Sequence, residues 1–372
     1  MGNTIKANRV LFTGGHAGTT AIAVISELLK SKKDIDVHWI GSKKAIEGSN
    51  ALTLEAKVLP SLGVKFHSII AGKLQKKWSK HTILSIMKVP VGFIHAFQLL
   101  VKIKPTIVFS FGGYSAFPVV FASYLLRIPV ILQEQITGLG LANRLSLPFS
   151  NKVLLSRSQG LQYSGNKGLV FGNPVSSAFT RVMPKKVLHD PPTLFIFAGS
   201  RGSQIINDTV LEIMPGLLTD FNVVHQTGDL DYDKISKFKS TLPLKLEKKY
   251  TITPFIDPSK VPSFYDGSDI LVGRAGANTV SELMVVGIPS ILIPFPFTNY
   301  KDQEVNAREA ERRGIAEVIS QKDLNSKLLL STIIKVRNNW QRMAVTYKKD
   351  LSDLDRRASG KIVKYIVELM NK

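Results

Sequence analysis

Short apolar runs alternate with segments of helical periodicity along most of the chain. In the first half RVLFT, DVHWI, TIVFSF, PVILQ and NKVLL read as strands, with helical patterns around 21–30, 83–102, 119–126 and 139–145. In the second half TLFIFA, FNVVHQ, YTITPF, DILVG and SILIPF alternate with helices near 203–214, 261–266, 279–286 and 303–313. Apolar strands separated by helices predict βαβ units, hence an α/β class built on doubly wound parallel sheets. A last segment, 350–370, has the pattern of an amphipathic helix.

The 372 residues exceed one ordinary core and predict two domains, 1–175 and 190–345, with the terminal helix able to pack on either. The seam is expected within 172–192, where Asn-Pro and Pro-Pro punctuate a basic stretch. Open α/β sheets bind ligands at the carboxyl ends of their strands, so two such domains facing each other make a cleft walled by loops.

Composition narrows the picture. Hydrophobic residues at 44% and charged residues at 21% are those of a globular chain. The absence of cysteine excludes disulfides and thiolate chemistry. No apolar stretch precedes the first strand, so no signal peptide is expected. The net charge of +21 is unevenly placed: residues 1–175 hold 21 basic and 6 acidic side chains, a net of +15. Such a field suits an anionic membrane surface or a nucleic acid. Only 8% of the chain is aromatic, too little to favour base stacking, and no nucleic-acid partner is expected.

The uncharged stretch 107–126 has the length of a membrane span, but Gly112, Gly113 and Pro118 break it into a strand, a loop and a helix.

Three turns carry candidate chemistry. After TLFIFA comes GSRGS, 199–203, where backbone N–H groups and a helix N-terminus suit a diphosphate; no Lys follows in Walker spacing, which argues against a P-loop. After DILVG comes RAGANTVSEL, in which Thr279 and Glu282 have the spacing of a capping box. Glu282 is thus either a cap or a ribose ligand, since one carboxylate accepts two hydroxyls. The third turn, LFTGGHAG, sets His16 behind two glycines; it lacks GxGxxG spacing and no acid closes DVHWIG, which disfavours a dehydrogenase. GDLDYD, 228–233, offers Asp229 and Asp231 as hard ligands but is expected to be a solvated loop, with no metal and no cofactor.

In order and spacing these elements resemble the MurG family, GT-B transferases that move N-acetylglucosamine from UDP-GlcNAc to lipid I, an undecaprenyl-linked peptidoglycan precursor. TGGH (13–16) is similar to the family's first glycine loop, FGGYSAFP (111–118) to its second, GNPV (172–175) to its domain junction and GSRGS to its third loop. RAGANTVSEL with GIPSILIPFP is similar to its donor-nucleotide signature. The resemblance implies two Rossmann-like domains. It implies that Glu282 holds the ribose hydroxyls, that Ser200 and the helix start at Ala277 meet the diphosphate, and that Asp302 and Gln303 face the GlcNAc ring. Ile256 would hold the uracil edge through its backbone, and Arg201, Arg274 and Asn278 complete the donor set. Thr13, Gly14 and Gly15, with Gly112, Gly113, Tyr114 and Glu134, fall in the acceptor loops, and His16 falls where a catalytic base takes the proton of the attacking hydroxyl. The chain departs from the family at QEQI (133–136), in place of HEQN, and at Ser176 and Arg201.

Between Lys65 and Lys104 stand eight lysines and no acid, interleaved with Leu74, Trp78, Ile83, Leu84, Ile86, Met87, Val89 and Phe93. An apolar patch rimmed by lysine suits peripheral attachment to anionic lipid, and the resemblance implies the cytoplasmic face of the cell membrane. Two other readings stay open: a GT-B transferase making a diacylglycerol glycolipid, and a non-catalytic sugar-nucleotide-binding protein.

Overall fold

The run RVLFT forms an interior strand of a seven-stranded parallel sheet. A computed structural model describes residues 8–15, 17–32, 34–44, 52–70, 80–199, 202–297, 301–346 and 350–371. The first sheet comprises β1 (Arg9–Thr13), β2 (Asp36–Gly41), β3 (Lys65–Ser68), β4 (Ile107–Ser110), β5 (Val130–Glu134), β6 (Lys152–Leu155) and β7 (Gly168–Val170). Their order is β3-β2-β1-β4-β5-β6-β7, with Val10 beside Ile107 and Thr13 beside Ser110. The second sheet comprises β8 (Thr193–Phe197), β9 (Asn222–Gln226), β10 (Tyr250–Thr253), β11 (Ile270–Gly273), β12 (Ser290–Leu292) and β13 (Ala316–Val318). Its order is β10-β9-β8-β11-β12-β13, again parallel throughout.

The two-residue period of a strand explains why these runs are apolar without interruption. Val10 and Phe12 of β1 enter one core with Ile25, Leu28 and Trp39, while Leu11 between them enters the opposite core with Ile40, Leu100 and Val119. Both faces of the sheet are thus covered by helices, as parallel sheets require. In the second sheet Leu194, Ile196, Val272 and Ile291 pack with Ile206, Val210 and Leu217 of the helix Gln204–Asp220.

The chain divides into two compact units, one of residues 1–176 with 357–372 and one of residues 177–356. The terminal helix Asp350–Met370 buries Ile362, Val363 and Ile366 in the first unit's core. The uncharged stretch 107–126 is divided between β4 and the helix Ala116–Leu125, and among the described residues no helix is long and apolar enough to cross a membrane.

Three strands escape the apolar-run reading. β3 has exposed ends and half-buried middle residues, and β7 and β13 are three-residue edges, so none presents a continuous apolar run.

Candidate functional site

Each sheet reverses its strand order at one place, and loops at the carboxyl ends of the two strands flanking such a switch point are the ligand-binding position of open α/β sheets. In the first unit the switch lies between β1 and β4, in the second between β8 and β11. The loops that follow these four strands are the glycine-rich turns singled out above.

In the second unit, β8 leads into the glycine turn and the helix Gln204–Asp220, and β11 leads through Arg274 and Gly276 into the helix Ala277–Val286. Ser200 and Arg201 lie outside the described residues. Gly202 has φ +71, and a Cβ on it would collide with the carbonyl of Thr227, so the turn admits only glycine there. Arg274 ties the two turns together: its Nη2 donates to Ser203 Oγ at 2.8 Å and its Nη1 to the Ile293 carbonyl at 3.0 Å. Its guanidinium lies 5.4 Å from the centre of the Phe295 ring. Burial pulls its pKa down to about 10, which leaves a cation at neutral pH between two helix N-termini.

The capping-box expectation for Glu282 is corrected. Gly276 is the N-cap and the helix starts at Ala277, two residues before Thr279, so Glu282 lies in the second turn, too deep to reach the N-cap amide. Its side chain is 7% exposed, and Tyr265 Oη lies 3.5 Å from Oε2. Burial pushes the Glu282 pKa up to about 7, partly offset by that hydroxyl, and burial likewise holds Tyr265 well above the usual phenol range. A carboxylate this poorly solvated, whose one hydrogen bond among the described residues is long, has unused acceptor capacity there.

In the same unit, Ile256 is buried just after β10. Ala277 and Asn278, both half-buried, form the first turn of their helix. Asp302 and Gln303 open the helix Asp302–Arg312; Asp302 Oδ1 accepts from the Gln303 amide at 2.9 Å, and Gln303 Oε1 accepts from the Phe295 amide at 2.9 Å. The loop after β12 is thereby fastened to the start of that helix.

The solvated-loop expectation for GDLDYD is also corrected at Asp231. That carboxylate is buried and accepts from Asn207 Nδ2 at 2.7 Å, while the same nitrogen donates to the Thr227 carbonyl at 2.8 Å. Asn207 Oδ1 lies 2.9 Å from His225 Nε2, and His225 Nδ1 lies 2.8 Å from Tyr250 Oη. Burial takes His225 down to about 3, so it is neutral: Nε2–H donates to Asn207 and Nδ1 accepts from the tyrosine. This buried chain supports the Thr227 carbonyl on which Gly202 rests. Sequence inspection missed it, though a histidine on an apolar strand is a signal that a buried partner is needed.

In the first unit the two loops are closed on each other. The Gly15 amide donates to the Gly112 carbonyl at 2.9 Å, Phe111 N to the Thr13 carbonyl at 2.8 Å and Ser115 Oγ to the Gly14 carbonyl at 3.0 Å. Gly113 has φ +89, and a Cβ on it would stand 2.6 Å from the Gly15 carbonyl oxygen. Gly113 and Tyr114 are half-buried. His16 lies outside the described residues. Thr13 is fully buried, and its hydroxyl has no hydrogen-bond partner among the described residues. Glu134 is spent on its own loop, accepting from the amides of Gln135, Ile136 and Gly140 and from Asn143 Nδ2. Burial raises its pKa against those four bonds. It shapes the QEQI turn, and Gln133 beside it is buried with Nε2 3.3 Å from Ser156 Oγ.

Comparison with known proteins gives the family and the fold. Residues 10–155 match the glycosyltransferase family 28 N-terminal domain and residues 193–359 its C-terminal domain. The chain is similar to the crystal structure of Acinetobacter baumannii MurG, with TM-score 0.67 and 22% identity over 97% of this chain and 99% of that one. It also resembles the glycosyltransferase of kitacinnamycin, with TM-score 0.70 and 13% identity over 98% of this chain and 99% of that one. These likenesses concern the fold, and the α/β, GT-B class expected from the sequence is the class observed. Among sequences, the UDP-N-acetylglucosamine--N-acetylmuramyl-(pentapeptide) pyrophosphoryl-undecaprenol N-acetylglucosamine transferase of Caldanaerobacter subterraneus is 33% identical over 87% of this chain and 90% of its own. The protein of that name from Listeria monocytogenes is 31% identical over 96% and 97%. The chain belongs to the family of these N-acetylglucosamine transferases, the MurG family.

Proposed function

We propose that this chain transfers N-acetylglucosamine from UDP-GlcNAc to the muramoyl 4-hydroxyl of lipid I, with inversion at the anomeric carbon, giving lipid II and UDP. The observation that carries the reading is the buried, underemployed Glu282 beside a switch point whose two turns are tied by Arg274. The ribose hydroxyls donate to the Glu282 carboxylate, Ile256 meets the uracil through its backbone, and Asp302 and Gln303 meet the sugar. Ser200, Arg201, Arg274 and the helix start at Ala277–Asn278 receive the diphosphate, whose developing charge as the bond to the anomeric carbon breaks is met by a fixed cation and helix N-termini. The acceptor oxygen forms the new bond, and His16 takes its proton. The first unit supplies the acceptor loops, 13–16 and 112–114, with Glu134 shaping the turn beside them; the second holds the donor.

UDP release from UDP-GlcNAc, with and without detergent-dispersed lipid I, tests this. Release that depends on lipid I is expected; tight UDP binding with no turnover defeats the reading, and release driven instead by diacylglycerol moves the chain to glycolipid synthesis.

The lipid acceptor requires a surface to work on, and the first unit offers one. Three packed helices, Lys80–Ile103, Ala116–Leu125 and Leu141–Ser146, expose Val91, Ile94 (61%), Phe97, Leu125 and Leu141 (68%). Phe93, Phe117, Phe121 and Phe149 form an aromatic cluster beneath. Lys73, Leu74, Lys76, Lys77 and Trp78 lie outside the described residues, as do the side chains of Lys80, Ile83, Leu84, Ile86, Met87, Lys88 and Val89. This patch rests on the cytoplasmic leaflet, its apolar side chains in the headgroup region and the lysines of the unit on anionic lipid. Replacing Ile94 and Phe97 by Glu is expected to weaken sedimentation with phosphatidylglycerol vesicles by about tenfold or more, from the apolar burial forfeited. UDP affinity should not move; vesicle binding equal to wild type would show that this patch does not hold the membrane.

A further inference from the structure

A helix whose first turn lacks a capping side chain leaves N–H groups that something else must satisfy. The helix Gly18–Ser31, which follows the first glycine loop, is of this kind: its N-cap is Ala17 and its first turn holds no acid. The missing acceptor arrives from a different part of the chain. Oε1 of Glu55 accepts from the Ala17 amide at 2.8 Å and from the Gly18 amide at 3.1 Å. Glu55 is 3% exposed and lies on the short helix Leu54–Val58. That helix is itself anchored, since Thr53 Oγ1 accepts from the Ala56 amide at 3.2 Å and donates to the Ser42 carbonyl at 3.0 Å.

A carboxylate at this end of a helix faces the partial positive charge of the macrodipole. In dinucleotide-binding α/β folds the group found there is a ligand phosphate; here the chain supplies its own anion. Ala17 follows residue 16 directly in the chain, so the bond from Glu55 holds the first described residue after the glycine loop.

We infer that Glu55 is a positioning residue for the transfer: by gripping the Ala17 and Gly18 amides it sets the first glycine loop in its working geometry. The inference rests on the transferase reading above. It differs from an ordinary packing role because what Glu55 contributes is an anionic acceptor at a defined spot, and a small anion can replace that.

The test compares wild type with Glu55→Ala and Glu55→Gln in lipid I-dependent UDP release, with UDP affinity and thermal melting measured in parallel and with sodium formate added. Glu55→Ala is expected to lose roughly 10- to 100-fold in kcat, the cost of a loop displaced by a fraction of its working tolerance, with UDP affinity within about twofold of wild type. Formate should restore several-fold of the lost turnover in Glu55→Ala and do nothing for wild type. Glu55→Gln, whose amide oxygen still accepts both bonds, should stay within about fivefold of wild type. The inference is overturned if Glu55→Ala turns over within about twofold of wild type, or if its kcat, UDP affinity and melting temperature fall together without response to formate. A wild-type chain that releases no UDP on addition of lipid I overturns the transferase reading and this inference with it, so the two failures are distinct.

Discussion

Glu282→Ala is expected to weaken UDP binding by about 100- to 1,000-fold, the loss of two hydrogen bonds to a charged acceptor at roughly 1.5–2 kcal/mol each. It should do so without unfolding the second unit, because the native carboxylate is a liability to the free protein. Burial has moved its pKa from 4.5 up to about 7, so the folded state holds a proton that the unfolded chain releases. Between those two values stability therefore falls as pH rises, and above pH 7 the accumulated cost is about 3 kcal/mol. The isosteric Glu282→Gln should melt higher than wild type at pH 8 in the absence of ligand and should lose the stability slope between pH 4.5 and 7. Donor binding has the opposite sign. In the proposed role the ribose hydroxyls need the ionised carboxylate, so UDP affinity should fall by about tenfold per pH unit below 7 in wild type and stay level in Glu282→Gln. Calorimetric titration with UDP at several pH values checks both limbs. A Glu282→Gln protein that binds UDP as tightly as wild type, with the same pH slope, removes Glu282 from the donor site.

The same residue shows where sequence reading stops. The strands β1, β2, β5, β8, β9 and β11 were legible because each is apolar on both faces, and the glycine turns after them because a change of period marks the strand-to-helix passage. The helix start at Ala277 was not legible: Thr279 and Glu282 satisfy the capping-box spacing, yet Gly276 takes the cap and the pair falls three residues too deep. The partner of Glu282 is Tyr265, on a separate helix, and no local pattern announces it. Asp231 and Glu55 make the same point. Asp231, in a polar stretch, reads as solvated and is brought inside by Asn207, while Glu55, in LTLEAKVL, has no local signal of the Ala17 and Gly18 amides it meets. Local physics specifies elements and turns; the burial of a charge is decided by groups the chain brings from a distance. Arg274 stands between these cases, since its place after β11 follows from spacing while its bond to Ser203 joins two turns remote in sequence.

His16→Ala is expected to lower kcat by about 100- to 1,000-fold while UDP affinity stays at the wild-type value, because a general base acts only as the acceptor hydroxyl attacks. The proposed donor groups all belong to the second unit, whereas His16 belongs to the first, so the two proposed functions should separate by substitution. The pH profiles separate them further. On the proposed reading, bound ribose at saturating donor keeps Glu282 ionised, and the acid limb of kcat then belongs to the general base. At limiting donor, kcat/KM carries the Glu282 limb as well. His16→Ala should therefore flatten the acid limb of kcat and leave the Glu282 limb in kcat/KM, while Glu282→Gln should do the reverse. Steady-state rates across pH 5.5–8.5 at both donor levels decide the matter. Equal turnover by His16→Ala and wild type at saturating donor would assign proton removal to another group and leave His16 only a place in the loop.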